Sequence, residues 1–147
     1  MKSMVWVRPD GAVSVSYLSE TLRARETETQ FYNRIAKKMK DDGAIPLTWF
    51  RAAEIEPSLL PSDRKFRDAW KWTGNAIEVD LPKAKTLCLS RLIQDVNKKF
   101  SSFDLLRTPT ADLEAQKQAL LNQELAFTAK INEAKTVQEL KDVVWTL

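Results

Sequence analysis

The sequence predicts an α+β fold: an N-terminal antiparallel hairpin and a small sheet with packed helices, followed by a helical C-terminal extension. Three observations predict it. Two arms with strand-like alternation flank Pro9-Asp10-Gly11 near the start of the chain. From Asp80 onward the apolar residues recur with helical spacing almost to the end. Between these halves, the stretch 61–85 gathers aromatic residues, cations, a glycine turn and a helix start into one span.

In the first arm Met4-Val-Trp-Val-Arg alternates, and so does the second, from Ala12 to Tyr17. Proline presets the first central turn angle and glycine accepts a positive φ, so the connection has hairpin chemistry. Val13, Val15 and Tyr17 share one face and Ser14 and Ser16 the other, which predicts one buried side and one wet side. Residues 19–25 fit either a loop or an early helical turn. Thr27-x-x-Gln30 forms a capping box that starts a helix over 28–40. Phe31, Ile35 and Met39 stripe it, Lys37, Lys38 and Lys40 complement its C-terminal dipole, and Gly43 stops it. The β-formers Leu47 to Arg51 predict a third strand over 46–53, with a surface loop over 54–60. Ser62 or Asp63 caps a short helix carrying Phe66 and Trp70 four residues apart. Trp70-Lys71-Trp72, the turn Thr73-Gly74-Asn75, and Ala76 to Val79 read as a second, smaller hairpin.

Asp80 is an N-cap, and Pro82 falls in the first turn, where its missing N–H costs little. The helix that follows runs to about Phe100. Its stripe is Leu81, Ala84, Cys88, Leu92, Val96 and Phe100, widened by Leu89 and Ile93 to a face that suits docking on a sheet. Ser101 and Ser102 mark a break, after which Phe103, Leu105 and Leu106 fit one apolar turn. Thr108-Pro109 is a cap followed by an N1 proline, and a long helix is expected over 111–135. Its stripe of Leu113, Leu120, Phe127, Ile131 and Ala134 is interrupted by Lys117 and Glu124, with Leu121 and Leu125 to one side. Such a half-apolar helix suits a helical hairpin or a loose coiled coil. Thr136-x-x-Glu139 is a second capping box, opening a terminal helix with Leu140, Val143, Val144 and Trp145. The expected division is a small α+β domain over 1–107 and a C-terminal helical extension over 108–147.

Composition narrows the chemistry. With 147 residues, 44% hydrophobic and 29% charged, the chain supports one ordinary globular core. The net charge of +3 is a mild excess with the signs interleaved, unlike the concentrated basic face of a dedicated nucleic-acid binder. No histidine is present, which removes the commonest general base, the commonest metal ligand and every histidine-dependent triad. The single cysteine, Cys88, permits neither an internal disulfide nor a cysteine-based zinc site. It lies on an apolar stripe and reads as a small core residue. Three glycines cannot build the glycine-rich phosphate cradles. No apolar run approaches the roughly 18 residues of a membrane span, and the first residues turn polar too soon for a signal peptide. The expectation is a soluble, non-exported, non-enzymatic protein with no cofactor, no metal and no membrane partner.

One run adds a family resemblance. Asp63-Arg64-x-Phe66-Arg67-x-Ala69-Trp70, the glycine-containing hairpin, and then Asp80-Leu81-Pro82-Lys83-Ala84-Lys85 resemble a pattern in small phage and prophage proteins of unassigned activity. The opening Arg8-Pro9-Asp10-Gly11 and the late Ala134-Lys135-Thr136-Val137-Gln138-Glu139-Leu140 are similar to the same proteins. Thr86-Leu87-Cys88-Leu89 departs from them, being more apolar than their polar, basic continuation. Because the genes of those proteins lie among virion and tail genes, the resemblance implies a virion or tail component, or an assembly helper. Its location would be the virion or the host cytoplasm. It implies no catalytic residues.

Two sets of residues are candidates for function. The first is partner-binding: Leu113, Leu120, Phe127, Ile131 and Trp145, on helices that bury their stripe either against a virion or tail protein or a second copy, or against 81–100 of the same chain. The second is Arg64, Arg67, Lys71, Lys83 and Lys85, where cations interleave with Trp70 and Trp72 in a combination that can hold phosphates and stack bases. The plainer reading of that stretch makes Phe66 and Trp70 core anchors and the cations a solvated face. The neighbouring carboxylates Asp41 and Asp42, and Glu54 and Glu56, read as solvated surface.

Overall fold

The computed structural model describes residues 1–105 and 111–147. It has the expected α+β composition, an N-terminal antiparallel sheet followed by helices. The elements are β1 (Ser3–Val7), β2 (Val13–Ser16), α1 (Glu28–Asp41), β3 (Phe50–Ile55), β4 (Trp70–Trp72), β5 (Ile77–Val79), α2 (Leu81–Asp104), α3 (Ala111–Glu133) and α4 (Val137–Asp142). They form two compact units, Met1–Val79 and Asp80–Leu147. The expected division at residue 107 kept α2 with the sheet; in the structure α2 belongs with α3 and α4 instead.

In the first unit β1 is the central strand of an antiparallel sheet ordered β2-β1-β3. The β1–β2 turn is as expected: Gly11 takes φ +79°, and its N–H donates to the Arg8 carbonyl at 2.9 Å. Every residue of β1 is buried, because both faces of the sheet are covered. Met4 and Trp6 pack on Phe31, Tyr32 and Ile35 of α1 and on Ile45. Val5, Val13 and Val15 pack on Trp70 and Ile77 of the β4–β5 hairpin. The predicted wet side is therefore only half-exposed. Ser16 accepts a 3.1 Å hydrogen bond from the Trp6 indole N–H, and Ser14 accepts one of 2.9 Å from Arg8. Tyr17, assigned to the buried face, is exposed beyond the end of β2.

The α1 capping box forms as read: Thr27 Oγ1 accepts from the Gln30 N–H, and Gln30 Oε1 from the Thr27 N–H. The third strand begins later than expected. Pro46 starts a turn, closed by the Trp49 N–H on the Pro46 carbonyl, which leaves Leu47 exposed and moves the strand to Phe50–Ile55. Ala52 is the extra residue where the β1–β3 register shifts, opposite the Val5–Trp6 step. The predicted helix before β4 is only a single 3₁₀ turn over Arg67–Ala69. Asp63 Oδ1 accepts from the Lys65 N–H, a local bond that competes with a helical start. Phe66 and Trp70 are buried all the same. The β4–β5 hairpin is as read, with Trp70 opposite Val79 and Trp72 opposite Ile77.

In the second unit Asp80 caps α2 by accepting from the Lys83 N–H at 3.1 Å, with proline in the first turn. The helix runs through the serines to Asp104, and both hydroxyls bond back to carbonyls of the preceding turn. The expected Thr108-Pro109 cap lies outside the described residues, as does Leu106. Thr136 caps α4 as expected, but Glu139 returns its bond to the Lys135 N–H, one residue before the N-cap. The terminal helix ends at Asp142, so Val143, with extended backbone angles, and then Val144 and Trp145 lie beyond it.

Candidate functional site

The helical unit is built on an antiparallel pair, α2 against α3. Near its open end the Lys85 ammonium donates to the Asn132 carbonyl at 2.7 Å. At the connection end Lys117 lies 3.8 Å from the Asp104 carboxylate. Opposite ends of the two sequences are thus neighbours. The seam of α2 is Ala84, Cys88, Leu92 and Val96, all buried. The seam of α3 is Leu113, Lys117, Leu120, Glu124, Phe127, Ile131 and Ala134, spaced alternately by four and three residues. Its apolar members other than Phe127 are buried, whereas Lys117 and Glu124 are half-buried. A strict seven-residue repeat is the signature of a coiled-coil seam. The two charged residues that interrupt the stripe lie along this seam rather than breaking it, and Lys117 has two carboxylates beside it.

This arrangement decides where the expected partner-binding residues stand. Leu113, Leu120 and Ile131 are buried, with α3 packed along α2 of the same chain, the intramolecular alternative for that stripe. A partner cannot reach them without opening the pair. Phe127 and Trp145 are half-buried, their ring centroids 6.1 Å apart, and the Trp145 indole N–H donates to Asp95 of α2 at 2.8 Å. The C-terminal strand of chain is thereby pinned along one side of the pair. It borders a groove of about 400 Å³ lined by Asp95, Lys98, Lys99, Ser102, Trp145 and Leu147.

What remains open on these helices is a different set: Ile93 (50% exposed), Leu121 (40%) and Leu125 (69%). The sequence signal for Leu121 and Leu125 was their offset from the stripe. Ile93 widens the predicted buried face of α2, but within the helical unit the seam of α2 meets α3, and Ile93 stands a quarter-turn from that seam, half of it in solvent.

The basic and aromatic stretch does not assemble into one surface patch within a unit. Arg64, Arg67 and Lys71 belong to the first unit, Lys83 and Lys85 to the second. Arg64 is engaged by Tyr17, donating to its hydroxyl at 2.7 Å and lying over its ring. Arg67 and Lys71 are exposed. Trp70 is buried and offers no free face for base stacking, whereas Trp72 packs on the same core and is half-buried. The carboxylates also have local work. Asp41 pairs with Lys37 at 2.5 Å and Glu54 with Arg51 at 3.0 Å, whereas Asp42 and Glu56 are exposed.

The strongest polar cluster lies where sequence spacing gave no signal. Arg34 of α1 donates to Glu26 through two nitrogens, at 2.8 and 3.0 Å, and to Glu20 at 3.0 Å. Lys38 adds a 2.7 Å contact to Glu20. The Arg34 guanidinium, with help from the Arg23 N–H, holds the Glu26 carboxyl down at about 2. Lys38 and then Arg34 lower that of Glu20. Two cations thereby tie the 17–27 connection to α1. Among the described residues no group of three or more acidic or cysteine side chains is placed to hold a metal ion. No described helix is long and apolar enough to cross a membrane.

Comparisons with protein-family models, with curated proteins and with solved structures found no significant match.

Proposed function

We propose that this chain is a non-enzymatic phage structural or assembly protein that acts through protein–protein contacts of its helical unit, by self-association or by capture of a virion or tail subunit. One observation carries the contact reading. The α2–α3 pair fills its own seam, yet keeps three large apolar side chains, Ile93, Leu121 and Leu125, in solvent. Scattered apolar exposure is ordinary, but a cluster on one element pair is the usual mark of a contact surface. The phage assignment rests on the resemblance of residues 63–85 and of the two terminal motifs. The test is mass spectrometry of purified particles, together with capture of virion and tail proteins by the full chain. Recovery with particles, or with assembly intermediates that lack it when mature, is expected. A chain that neither associates with itself nor is recovered with any virion or tail protein sinks the reading.

A further inference from the structure

Arg8 follows β1 with its side chain held from two directions. Its Nε and Nη2 donate to Ser14 Oγ at 3.3 and 2.9 Å. Its guanidinium carbon lies 4.8 Å from the centre of the Trp49 ring, a cation–π contact. A guanidinium carries five N–H donors in a rigid plane. The bonds to Ser14 occupy one on Nε and one on Nη2, which leaves the second on Nη2 and both on Nη1. Among the described residues Arg8 is in no ion pair, whereas Arg34 and Arg51 each hold a carboxylate. Arg8 is thus a positioned fork with donors to spare.

That fork lines a cavity of about 270 Å³ together with Ala12, Val13, Ser14, Arg67 and Asp68. The cavity lies at the start of β2, an edge strand of the sheet. Arg67 comes from the 3₁₀ turn before β4, and an antiparallel bridge between Ala12 and Lys71 brings that segment to the β2 edge. Arg67 also is in no ion pair among the described residues, its neighbour Asp68 included. All six lining residues belong to the first unit. They set two guanidiniums against one carboxylate. Of the charges alongside, Asp10 accepts from the Ala12 N–H at 3.0 Å, and Lys71 stands opposite Glu78 in the β4–β5 hairpin.

We propose that this cavity binds the phosphate group of a phosphoester, with Arg8 and Arg67 as its ligands and Ser14 as the residue that positions Arg8. Two guanidiniums without carboxylates, on one concave surface, select an oxyanion. A carboxylate has two oxygens and is saturated by one fork. A phosphate presents more oxygens, in tetrahedral array, and so accepts from two forks that approach from different elements. The cavity holds more than a bare phosphate, and Ala12 and Val13 make part of its wall apolar. Both features suit an esterified phosphate rather than the free ion. Asp68 works against the anion and sets a ceiling on its affinity. The site lies in the sheet-bearing unit and does not depend on the helical contacts of the proposed function.

Heteronuclear NMR of the full chain tests this, with inorganic phosphate as the first probe and the ionic strength held constant. The Nε–H signals of Arg8 and Arg67 and the amides of residues 12–14 should shift saturably, with a midpoint in the millimolar range. Acetate should bind at least tenfold more weakly. Arg67→Ala, at an exposed position, should weaken phosphate binding at least fivefold without disturbing the fold. Arg8→Lys should do the same, because lysine keeps the charge and loses the fork. Asp68→Asn should tighten binding by removing the opposing charge. Ribose 5-phosphate and a thymidine oligonucleotide separate the two sources of a phosphoester. Tighter binding of the sugar phosphate than of inorganic phosphate assigns a small phosphomonoester. Tighter binding of the oligonucleotide, with the same loss in Arg67→Ala, assigns a nucleic-acid backbone. Shifts that never saturate, that acetate reproduces at equal concentration, or that persist unchanged in Arg67→Ala and Arg8→Lys overturn the site.

Discussion

Arg34 shows how one side chain can organise a connection that has no secondary structure of its own. Its planar fork grips Glu26 through two nitrogens and Glu20 through a third contact. Arg25, inside the same loop, takes φ +68°, a left-handed conformation rare for a side-chain-bearing residue. The bonds to Arg34 on either side of it supply a reason for the loop to hold that shape. They also couple the loop to pH. The folded-state pKa of Glu26 lies at about 2, below the ordinary glutamate range. Its stabilising contribution is therefore complete above the ordinary range and is lost as pH falls toward about 2. Glu20 is depressed by Lys38 and Arg34 and contributes with the same sign. Protection of the amides of residues 17–27, taken as exchange relative to the intrinsic rate at each pH, should fall on acidification through that window more than protection in β1 does. Glu26→Gln should show the faster loop exchange already at neutral pH and a flatter response to acid. Identical pH profiles for the two proteins would remove this account.

At the scale of elements, the caps and the hairpins were readable because each rests on a few adjacent residues. Thr27 with Gln30, Asp80 with Pro82, Thr136, and the turn at Gly11 all did what their local chemistry demands. The failures are of another kind. The late start of β3 turns on Pro46 closing a turn before the β-formers could pair. The shrunken helix before β4 turns on Asp63 bonding two residues ahead. For α3 the residues of the stripe were legible but not their destination, because periodicity shows that a face is buried without showing what buries it. Truncation separates the destinations. Leu120 is 4% exposed on the seam, so Leu120→Ala in the full chain should cost about 2–5 kcal/mol. That loss should be read as an earlier helical unfolding transition at every protein concentration. A residue whose burial came from a partner would instead show a loss that vanishes on dilution. The open set of Ile93, Leu121 and Leu125 was only half legible for the same reason: which flank of a stripe is left bare depends on the width of the neighbour and on where Trp145 is anchored.

At the scale of the molecule, the two compact units are stabilised by different means, and this predicts how the chain unfolds. The Met1–Val79 unit is held by non-local pairing. β1 joins strands that end at Ser16 and begin at Phe50, and both its faces are packed, by α1 on one side and the β4–β5 hairpin on the other. The Asp80–Leu147 unit is held by local helices and one seam. Each is small enough that its own core supplies only about 3–5 kcal/mol, and the strand pairing lies within the first unit and the helical seam within the second. Four of the five tryptophans, Trp6, Trp49, Trp70 and Trp72, belong to the first unit, whereas α2 and α3 carry most of the helix. Tryptophan fluorescence therefore follows mainly the sheet, and far-UV circular dichroism mainly the helical pair. Denaturant titration of the full chain should give two curves with different midpoints, the departure from two-state behaviour that independent units produce. Val5→Ala, at the centre of the sheet, should move the fluorescence midpoint and leave the circular dichroism midpoint in place. Leu120→Ala should do the opposite. Superimposable curves that shift together in both variants would show instead that the chain unfolds as a single cooperative body.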